Sequence, residues 1–387
     1  MATHRFRRIP NAGAHRPHGS SWALLRGALH AFAPDPAAPG PIRGLEQEAG
    51  FHLHTRHAVA FGSAHHGLEH SLRALAPPTG SAVLLPAIAQ AWVRDAVRAA
   101  GLVPVLVDIH PDTLHIDVDA LEAATVPGTA AVLVEHTAGV PCDLDATRAA
   151  CDALGLPMIE LFGMAVGARW RAQPVGAHGR AGVADLDCGL LTAFGGCLVT
   201  SDDSALTSRL RAGLEGEPEP PAWAVASRIG QGQLRALAAH PLAFGLLHRE
   251  LPRDAPPSTG CVRMHPAQAE ALRTALARQE AHLDRCRERA AQLRWALPQG
   301  VWRQDVPDGA QPAWSQLLVR SHDPAGCAQA ALDAGIQLRL GPLTDLGDGG
   351  CPHASRAATE CIALPCHAGL NDADAERVIT ATKSWLI

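Results

Sequence analysis

The 387-residue sequence has one lysine, Lys383, and no tyrosine. Arginine supplies the rest of the 33 basic residues, and asparagine occurs only at Asn11 and Asn371. A G+C-rich genome explains a general shortage of lysine and asparagine, but such a bias does not normally remove a lysine that a reaction requires. Chemistry through a Schiff base needs a lysine amine. The composition therefore excludes that chemistry from every position before Lys383.

The number of cysteines, the balance of charge and the length of the apolar runs each exclude a class of protein. Ten cysteines without a CxxC pair are too few for a disulfide scaffold, so we expect reduced thiols. The 33 basic and 38 acidic residues are too balanced to favour nucleic acid or membrane as the main partner. No segment approaches the ~18 apolar residues of a membrane span, and the basic start lacks the apolar stretch of an export signal. We therefore predict a cytoplasmic protein.

Short apolar runs alternate with amphipathic stretches from residue 59 onward. Ala130 to Val134 is continuously apolar, as expected for a strand buried on both faces, and Ser63 to Leu75 is predicted to be a helix. This order predicts an α/β fold with a large, doubly wound, mostly parallel sheet domain and a smaller C-terminal α+β domain. The predicted divisions are an arm over 1–50, the large domain over 51–245, and a part over 246–387 with a long helix, Pro266 to about Leu297, and the small domain.

Several sequence motifs follow one another in a specific order. They include FGSAHHGLEHSLRAL from Phe61, VDIHPDTLHID from Val107 and LPCHAGLNDADAERV from Leu364. With HTAGVPCDLDA and GLPMIELFGMAVGA between them, they resemble the DegT/StrS family of pyridoxal-phosphate (PLP) sugar aminotransferases. The resemblance implies the fold-type I PLP-transferase architecture. It also implies a chemistry that needs a Schiff-base lysine, an acid at the pyridine nitrogen and a phosphate cradle.

The residues that match the family's cofactor contacts depart from its pattern. Leu161 stands where the family has the aspartate that faces the ring nitrogen, and Met164 stands where it has a glutamine near the ring. An apolar group at 161 cannot hold the ring nitrogen protonated, so the electron-sink function is lost. The segment that carries the family's lysine is shortened here, around Cys188 to Phe194, and contains no lysine. We therefore expect no cofactor, and specifically no covalently bound PLP.

The family's phosphate cradle is a glycine-threonine pair at a helix N-terminus, where backbone amides and the helix dipole favour an anion. Gly62 and Ser63 remain in this sequence, but Ala64 and His65 replace the pair. The backbone amides can still bind an anion, whereas the hydroxyl is lost. Trp92 is the one aromatic residue in the segment that stacks on the ring in the family, and packing on the sheet is the commoner role of such a tryptophan.

Four other polar residues are expected near the same edge of the sheet. His65, His66, His136 and Glu160 fall at predicted strand ends or helix starts, where doubly wound folds bind ligands. A histidine there suits acid-base chemistry near neutral pH, and two histidines with a carboxylate suit zinc. The chain has 21 histidines, however, and contains neither HExxH nor GxSxG. We therefore predict no metal site and keep these four residues as acid-base candidates.

The resemblance and its departures predict a degenerate aminotransferase-like protein, retained as a pseudoenzyme or assembly subunit in biosynthesis. Because fold-type I active sites lie at dimer interfaces, we expect a homodimer or a heterodimer with a lysine-bearing paralogue. One alternative is a PLP-independent enzyme that uses the remodelled cleft on a small polar or sugar-like substrate. A second alternative is a sugar aminotransferase with an unusual cofactor arrangement.

Overall fold

A computed structural model of the chain describes Ile9 and residues 40–187, 195–221, 262–347 and 349–385. The shortened segment from Cys188 to Phe194, the predicted 245/246 division and, apart from Ile9, the arm before residue 40 lie outside this part of the chain. The domain divisions therefore stay predictions. Within the described residues, no helix has the length and apolar character that crossing a membrane requires.

A seven-stranded sheet forms the centre of the structure. The chain runs in order through β1 (His57–Phe61), β2 (Ala82–Pro86), β3 (Val103–Val107), β4 (Thr129–Glu135), β5 (Met158–Leu161), the short β6 (Arg169–Trp170) and β7 (Gln173–Pro174), β8 (Ala181–Asp185) and β9 (Cys197–Ser201). Seven of these strands form the sheet, all but β6 and β7, and their order across it is β1-β9-β8-β5-β4-β2-β3. Only β9 runs against the other six strands. The predicted mostly parallel sheet is confirmed.

Helices cover both faces of this sheet. They are α1 (Pro41–His52), α2 (Ala64–Ala74), α3 (Ala91–Ala99), α4 (Leu121–Ala124), α5 (Leu144–Leu154) and α6 (Ser204–Leu214). Leu68 of α2 and Val93 of α3 belong to the apolar core on one face, which we call the α2 face. Leu45 of α1 and Leu144 of α5 belong to the core on the opposite face, the α1 face. Because successive residues of a strand point to opposite faces, each buried strand supplies both cores.

Local sequence signals set the ends of the helices that approach the edge of the sheet. Ser63 caps α2, and its hydroxyl oxygen accepts a hydrogen bond from the backbone N–H of His66 at 3.4 Å. Asp143 caps α5 in the same way through the N–H groups of residues 145 and 146. Gly155 ends α5 in the left-handed conformation, with φ of 66°, which glycine adopts without a steric cost.

Side chains hydrogen-bond to the outer backbone groups of the edge strand β1, where a further strand could otherwise pair. The Glu46 carboxylate accepts a hydrogen bond from the N–H of Ala60 at 3.0 Å, and Arg211 donates to the carbonyl of Ala58 at 3.2 Å. Glu46 and Arg211 also pair with each other at 2.9 Å. One ion pair from α1 and α6 therefore satisfies backbone groups on the outer side of the strand.

The C-terminal part contains α7 (Pro266–Leu276), α8 (Gln279–Ala296), β10 (Ala310–Gln311), β11 (Leu317–Arg320), α9 (Pro324–Asp333), β12 (Arg339–Leu340), α10 (Pro352–Glu360), β13 (Cys361–Leu364) and α11 (Asp372–Trp385). Strands β11, β13 and β12 form an antiparallel sheet. The single long helix predicted from Pro266 is instead two helices. The chain tightens where the N–H of Arg278 bonds to the carbonyl of Ala275, three residues back, and this interrupts the α-helical pattern.

Candidate functional site

The carboxyl ends of the parallel strands meet at one edge of the large sheet. Ser63 follows β1, His136 follows β4, and Leu161 ends β5. Doubly wound folds bind ligands at this edge because the loops there are free to differ while the strands hold them in place. The structure thus places these three residues at the carboxyl edge of the sheet, where the sequence predicts them.

At the start of α2, the hydroxyl of Ser63 is already engaged. Its oxygen lies 2.8 Å from Nδ1 of His66 and also accepts the backbone N–H of that residue. Burial lowers the pKa of His66, so its imidazole is neutral at pH 7. Ser63 itself is buried, at 1% exposure. The Ser63 hydroxyl thus serves the helix and its neighbour, and the remaining cradle residues Gly62 and Ala64 contribute only backbone.

His65 lies beside His66 but faces a different partner. Its Nε2 lies 3.8 Å from the carboxylate of Glu69, one helical turn along α2, and the two imidazole rings pack edge to face. Among the described residues, no three histidine, cysteine, aspartate or glutamate side chains are grouped so that they could hold a metal ion. His65 and His66 therefore begin α2 with two polar side chains, each in contact with a different neighbour.

His136 and Glu160 form a second, fully buried pair. Their Nε2 and Oε2 atoms lie 3.2 Å apart, and both side chains have 0% exposure. The backbone N–H of Cys142 donates to Nδ1 of His136 at 3.1 Å. A ring nitrogen that accepts a hydrogen bond carries no proton. Nδ1 therefore acts as the acceptor, and the proton on Nε2 is donated to Glu160.

The Glu160 carboxylate accepts a full set of hydrogen bonds. Oε2 accepts from His136 and from the N–H of Gly176 at 2.8 Å, and Oε1 accepts from the N–H groups of His178 and Gly179 at 2.6 and 2.7 Å. Burial alone would raise the pKa of Glu160, but the hydrogen bonds from His136 and Gly176 outweigh it and lower the pKa. Glu160 is thus a charged internal anchor for the 176–179 turn.

The four acid-base candidates do not form one site. Glu160 lies between Met158 and Phe162, whose side chains belong to the core of the α1 face, and it holds His136 on that side. Helix α2, with His65 and His66, packs on the opposite face. The sheet therefore separates the two pairs. The pairs stay candidates, but they cannot act together on one substrate atom.

The two positions matching ring contacts of the family differ in burial. Leu161 is 5% exposed and belongs to the core of the α2 face, in register with Glu135 of β4 and Val183 of β8. Met164 is half-buried and lies in the short turn Gly163–Ala165 that follows β5. At position 161, a ligand approaching this edge would meet a packed hydrocarbon side chain.

Trp92 contributes to packing on the same face. It is half-buried against the α2-face core, and its indole N–H donates to the side chain of Gln90 at 3.0 Å. Both the apolar ring and its one donor are therefore occupied within the protein.

The sequence reasoning missed one titratable group at the edge, Glu135. It ends β4 beside Leu161, and no described group hydrogen-bonds to its buried Oε2. Burial raises the pKa of Glu135 to about 7, an effect that His136 opposes and Asp185 reinforces. The sequence signal that could have revealed Glu135 is an acidic residue at the end of an otherwise apolar strand. Burial and the missing hydrogen bond thus make Glu135 an acid-base candidate at this edge.

Comparisons with known proteins match this architecture over nearly the whole chain. S. venezuelae DesV, solved in complex with a ketimine intermediate, superposes with a TM-score of 0.79 at 24% identity, covering 98% of each chain. A DegT DnrJ EryC1 StrS aminotransferase from Brucella abortus gives 0.79 at 21% identity, covering 98% of this chain and 99% of that one. The sugar aminotransferase CalS13 from Micromonospora echinospora gives 0.77 at 22% identity, with coverages of 95% and 98%. These likenesses establish the fold-type I aminotransferase architecture.

The sequence itself supplies the assignment to a family. The family model described as the DegT/DnrJ/EryC1/StrS aminotransferase family matches residues 40–383. That range contains the helix start at Ser63, the His136–Glu160 pair and the strand that ends at Leu161. With the sheet order and the matched range in agreement, the chain belongs to the DegT/DnrJ/EryC1/StrS aminotransferase family.

Proposed function

We propose that this protein does not carry out PLP-dependent transamination and acts as an assembly partner in a biosynthetic system. The place of its only lysine carries the proposal. Lys383 lies in the last turns of α11, and its side chain is exposed. PLP supplies an electron sink when it is bound through a lysine amine and faced by an acid at its ring nitrogen.

Helix α11 is fixed to the small domain. Arg289 of α8 pairs with Asp372 at 2.7 Å, and the thiol of Cys327 in α9 donates to the carbonyl of Trp385 at 3.3 Å. Val378 packs into the core that this helix shares with β11 and β13. With Val378 turned inward, the exposed Lys383 amine points away from that core. It is therefore a poor candidate for attachment of a cofactor at the edge of the large sheet.

Other residues at the edge also fit PLP poorly. Leu161 presents a buried hydrocarbon where the ring nitrogen needs an acid, and the hydroxyl of Ser63 is held by His66. The acidic group next to Leu161 is Glu135, one strand away. These features support the loss of transamination.

A surface feature supports the assembly role. Phe51 near the end of α1 is 81% exposed, and aromatic residues are enriched in the contacts between subunits. In the fold-type I architecture an inactive subunit can still complete the site of an active relative. A homodimer or a heterodimer with a lysine-bearing paralogue, in the cytoplasm, is the arrangement that we propose.

The first test is the visible spectrum of the protein purified with excess PLP, before and after borohydride. We expect no absorption band of a protonated Schiff base and no PLP fixed to any peptide. A lysine-bearing member of the family, treated in the same way, is the control and should show both. Borohydride-fixed PLP on a peptide of this chain would contradict the proposal and favour an aminotransferase with an unusual cofactor arrangement.

The assembly role is tested by sedimentation equilibrium at high micromolar concentration. We expect a dimer of the protein alone or a heterodimer after mixing with its nearest paralogue. Phe51→Ser should weaken that association, while Val103→Ser, which changes another exposed apolar residue, should not. A monomer under both conditions would rule out assembly as the function.

Glu135 favours one second candidate, a PLP-independent enzyme acting on a small polar or sugar-like substrate. A carboxyl with a pKa of about 7 and a buried oxygen that no described group bonds can give or take a proton at neutral pH. The activity of such an enzyme should vary with pH around that value and be lost in Glu135→Gln. The stability of Leu161→Asp at pH 7 separates this candidate from a protein whose cleft is closed, because an open edge tolerates the new carboxylate.

A further inference from the structure

A tight turn follows β4 and contacts the segment that leads into β11. Thr137–Gly139 forms its centre, and we call residues 137–140 the junction turn. The backbone N–H groups of Ala313 and Gln316, which precede β11, donate to carbonyls of the turn at 2.8 and 3.2 Å. The junction turn therefore connects the large sheet to the sheet of β11, β13 and β12.

Three residues at the junction turn have a left-handed backbone, although none of them is a glycine. Ala138 lies in the turn with φ of 58°, and Leu114 and Trp314 have φ of 60° and 52°. Leu114 adjoins the turn, since its carbonyl accepts the hydroxyl of Thr137 at 2.9 Å. Residues with this conformation are held in place by their surroundings, and they collect at functional sites. The strain therefore marks the junction turn as a candidate binding site.

Four buried polar side chains belong to residues that contact the junction turn: His115, Gln304, Ser315 and Gln316. The imidazole of His115 donates from Nε2 to the carbonyl of Val140 at 3.0 Å. The amide of Gln304 donates to the carbonyls of Thr113 and Thr137 at 2.8 and 3.3 Å. Ser315 lies so close to Gly139 that a methyl group there would come within 3.0 Å of its hydroxyl oxygen. Each residue of the turn is thus in contact with one of the four.

Each of these four side chains has one buried polar atom to which no described group hydrogen-bonds. The atoms are Nδ1 of His115, Oε1 of Gln304, Oγ of Ser315 and Oε1 of Gln316. Since the amide nitrogen of Gln304 faces two carbonyls, its orientation is set and its oxygen points elsewhere. His115 donates through Nε2, and burial lowers its pKa to about 3, so Nδ1 carries no proton at pH 7. All four atoms can therefore accept hydrogen bonds, and leaving such atoms unpaired in the interior costs free energy.

We propose that the junction turn binds a small molecule that donates several hydrogen bonds, either an ammonium ion or water. Acceptor atoms gathered on one turn need a donor, and buried waters commonly pair with polar atoms of this kind. An ammonium ion offers one N–H group to each of the four acceptors. His115 precedes the turn in the chain, whereas the other three side chains lie within residues 304–316. The bound molecule would therefore hold the C-terminal part of the chain against the large sheet.

The thermal midpoint of the full-length protein tests whether the Ser315 hydroxyl has a bound partner. We expect Ser315→Ala to lower the midpoint by about 1–2 °C, because it removes only the hydroxyl that pairs with the bound molecule. Removal of a buried hydroxyl without a partner would instead leave the midpoint unchanged or raise it. Ser81→Ala is the matched control, because Ser81 is also buried but lines an open depression at the amino ends of β2, β4 and β5. Its midpoint should stay within about 0.5 °C of the wild-type value.

Two further measurements identify the bound molecule. If it is ammonium, ammonium chloride should raise the midpoint of the wild type above its value in potassium chloride of equal ionic strength. Potassium has nearly the same radius and the same charge, but it donates no hydrogen bond. If the bound molecule is water, the two salts should act equally, and magnetic relaxation dispersion of the solvent should detect one more long-lived internal water in the wild type than in Ser315→Ala.

Ser81→Ala should behave as the wild type in both measurements, and the ammonium effect should be lost in Ser315→Ala. Circular dichroism of each variant checks that the fold is intact. A midpoint of Ser315→Ala at or above the wild-type value would overturn the proposal. So would the absence of both an ammonium-specific rise and an internal water that depends on Ser315.

Discussion

Replacing Glu160 by glutamine should lower the free energy of unfolding by about 3–5 kcal/mol, although the two side chains have the same shape. Each carboxylate oxygen accepts two donors, His136 and Gly176 at one and His178 and Gly179 at the other. Whichever oxygen becomes an amide NH₂, it faces two N–H groups and leaves them unsatisfied in the interior. Denaturant midpoints of wild type and variant at pH 7 measure the loss.

Glu122→Gln provides the control for Glu160→Gln, because Glu122 is exposed on the short helix α4. Its free energy of unfolding should stay within about 0.5 kcal/mol of the wild-type value. The effect at Glu160 should also depend on pH. Since the folded protein lowers the pKa of Glu160, its stabilisation is complete above the ordinary value of 4.5 and is lost as pH falls through the folded value. The two proteins should converge on that acid side, and equal losses at positions 122 and 160 would contradict the account.

Leu161→Asp should destabilise the protein by roughly 3–5 kcal/mol at pH 7. Leu161 is buried in the α2-face core, and its register neighbour Glu135 is itself acidic, so a new carboxylate gains no cation there. Burial should raise the pKa of the new aspartate. The destabilisation by its charge is then absent below the unfolded value of ~3.9 and grows as pH rises toward the folded value.

Leu161→Asn is the matched variant for this position, since it has the shape of aspartate without the charge. Both variants should lose stability at pH 7, with aspartate losing more, and their midpoints should approach each other near pH 4. Denaturant unfolding at the two pH values decides the matter. If Leu161→Asp matches wild type at pH 7, the edge of the sheet is open and wet, and the PLP-independent enzyme becomes the better account of function.

Much of the fold was predictable because its signals are local. The apolar run Ala130 to Val134 forms the centre of β4, and Ser63 caps α2 where the predicted helix begins. The division between α7 and α8 was not predictable, because apolar residues continue at helical spacing through it. A hydrogen bond from Arg278 to the carbonyl three residues back leaves no mark in such a pattern.

Sequence reasoning could predict only part of the candidate site. His136 directly follows β4 and Glu160 is the last residue but one of the adjacent parallel strand β5, so their meeting at one edge could be expected. The partners that occupy Glu160 are backbone amides of residues 176–179, and backbone groups have no sequence signature. The alternation of side chains along a strand does predict one further feature of the site. Neighbours such as Glu160 and Leu161 point to opposite faces, so both could not face the same ligand.

The ion pair on β1 has a consequence for the order of folding. Glu46 and Arg211 lie 165 residues apart, yet the outer side of the strand is capped only when both are in place. Until α1 and α6 have both docked, the N–H of Ala60 and the carbonyl of Ala58 remain open to another extended chain. Late docking of either helix during synthesis would thus expose a ready template for misassembly, and rapid docking protects the chain from it.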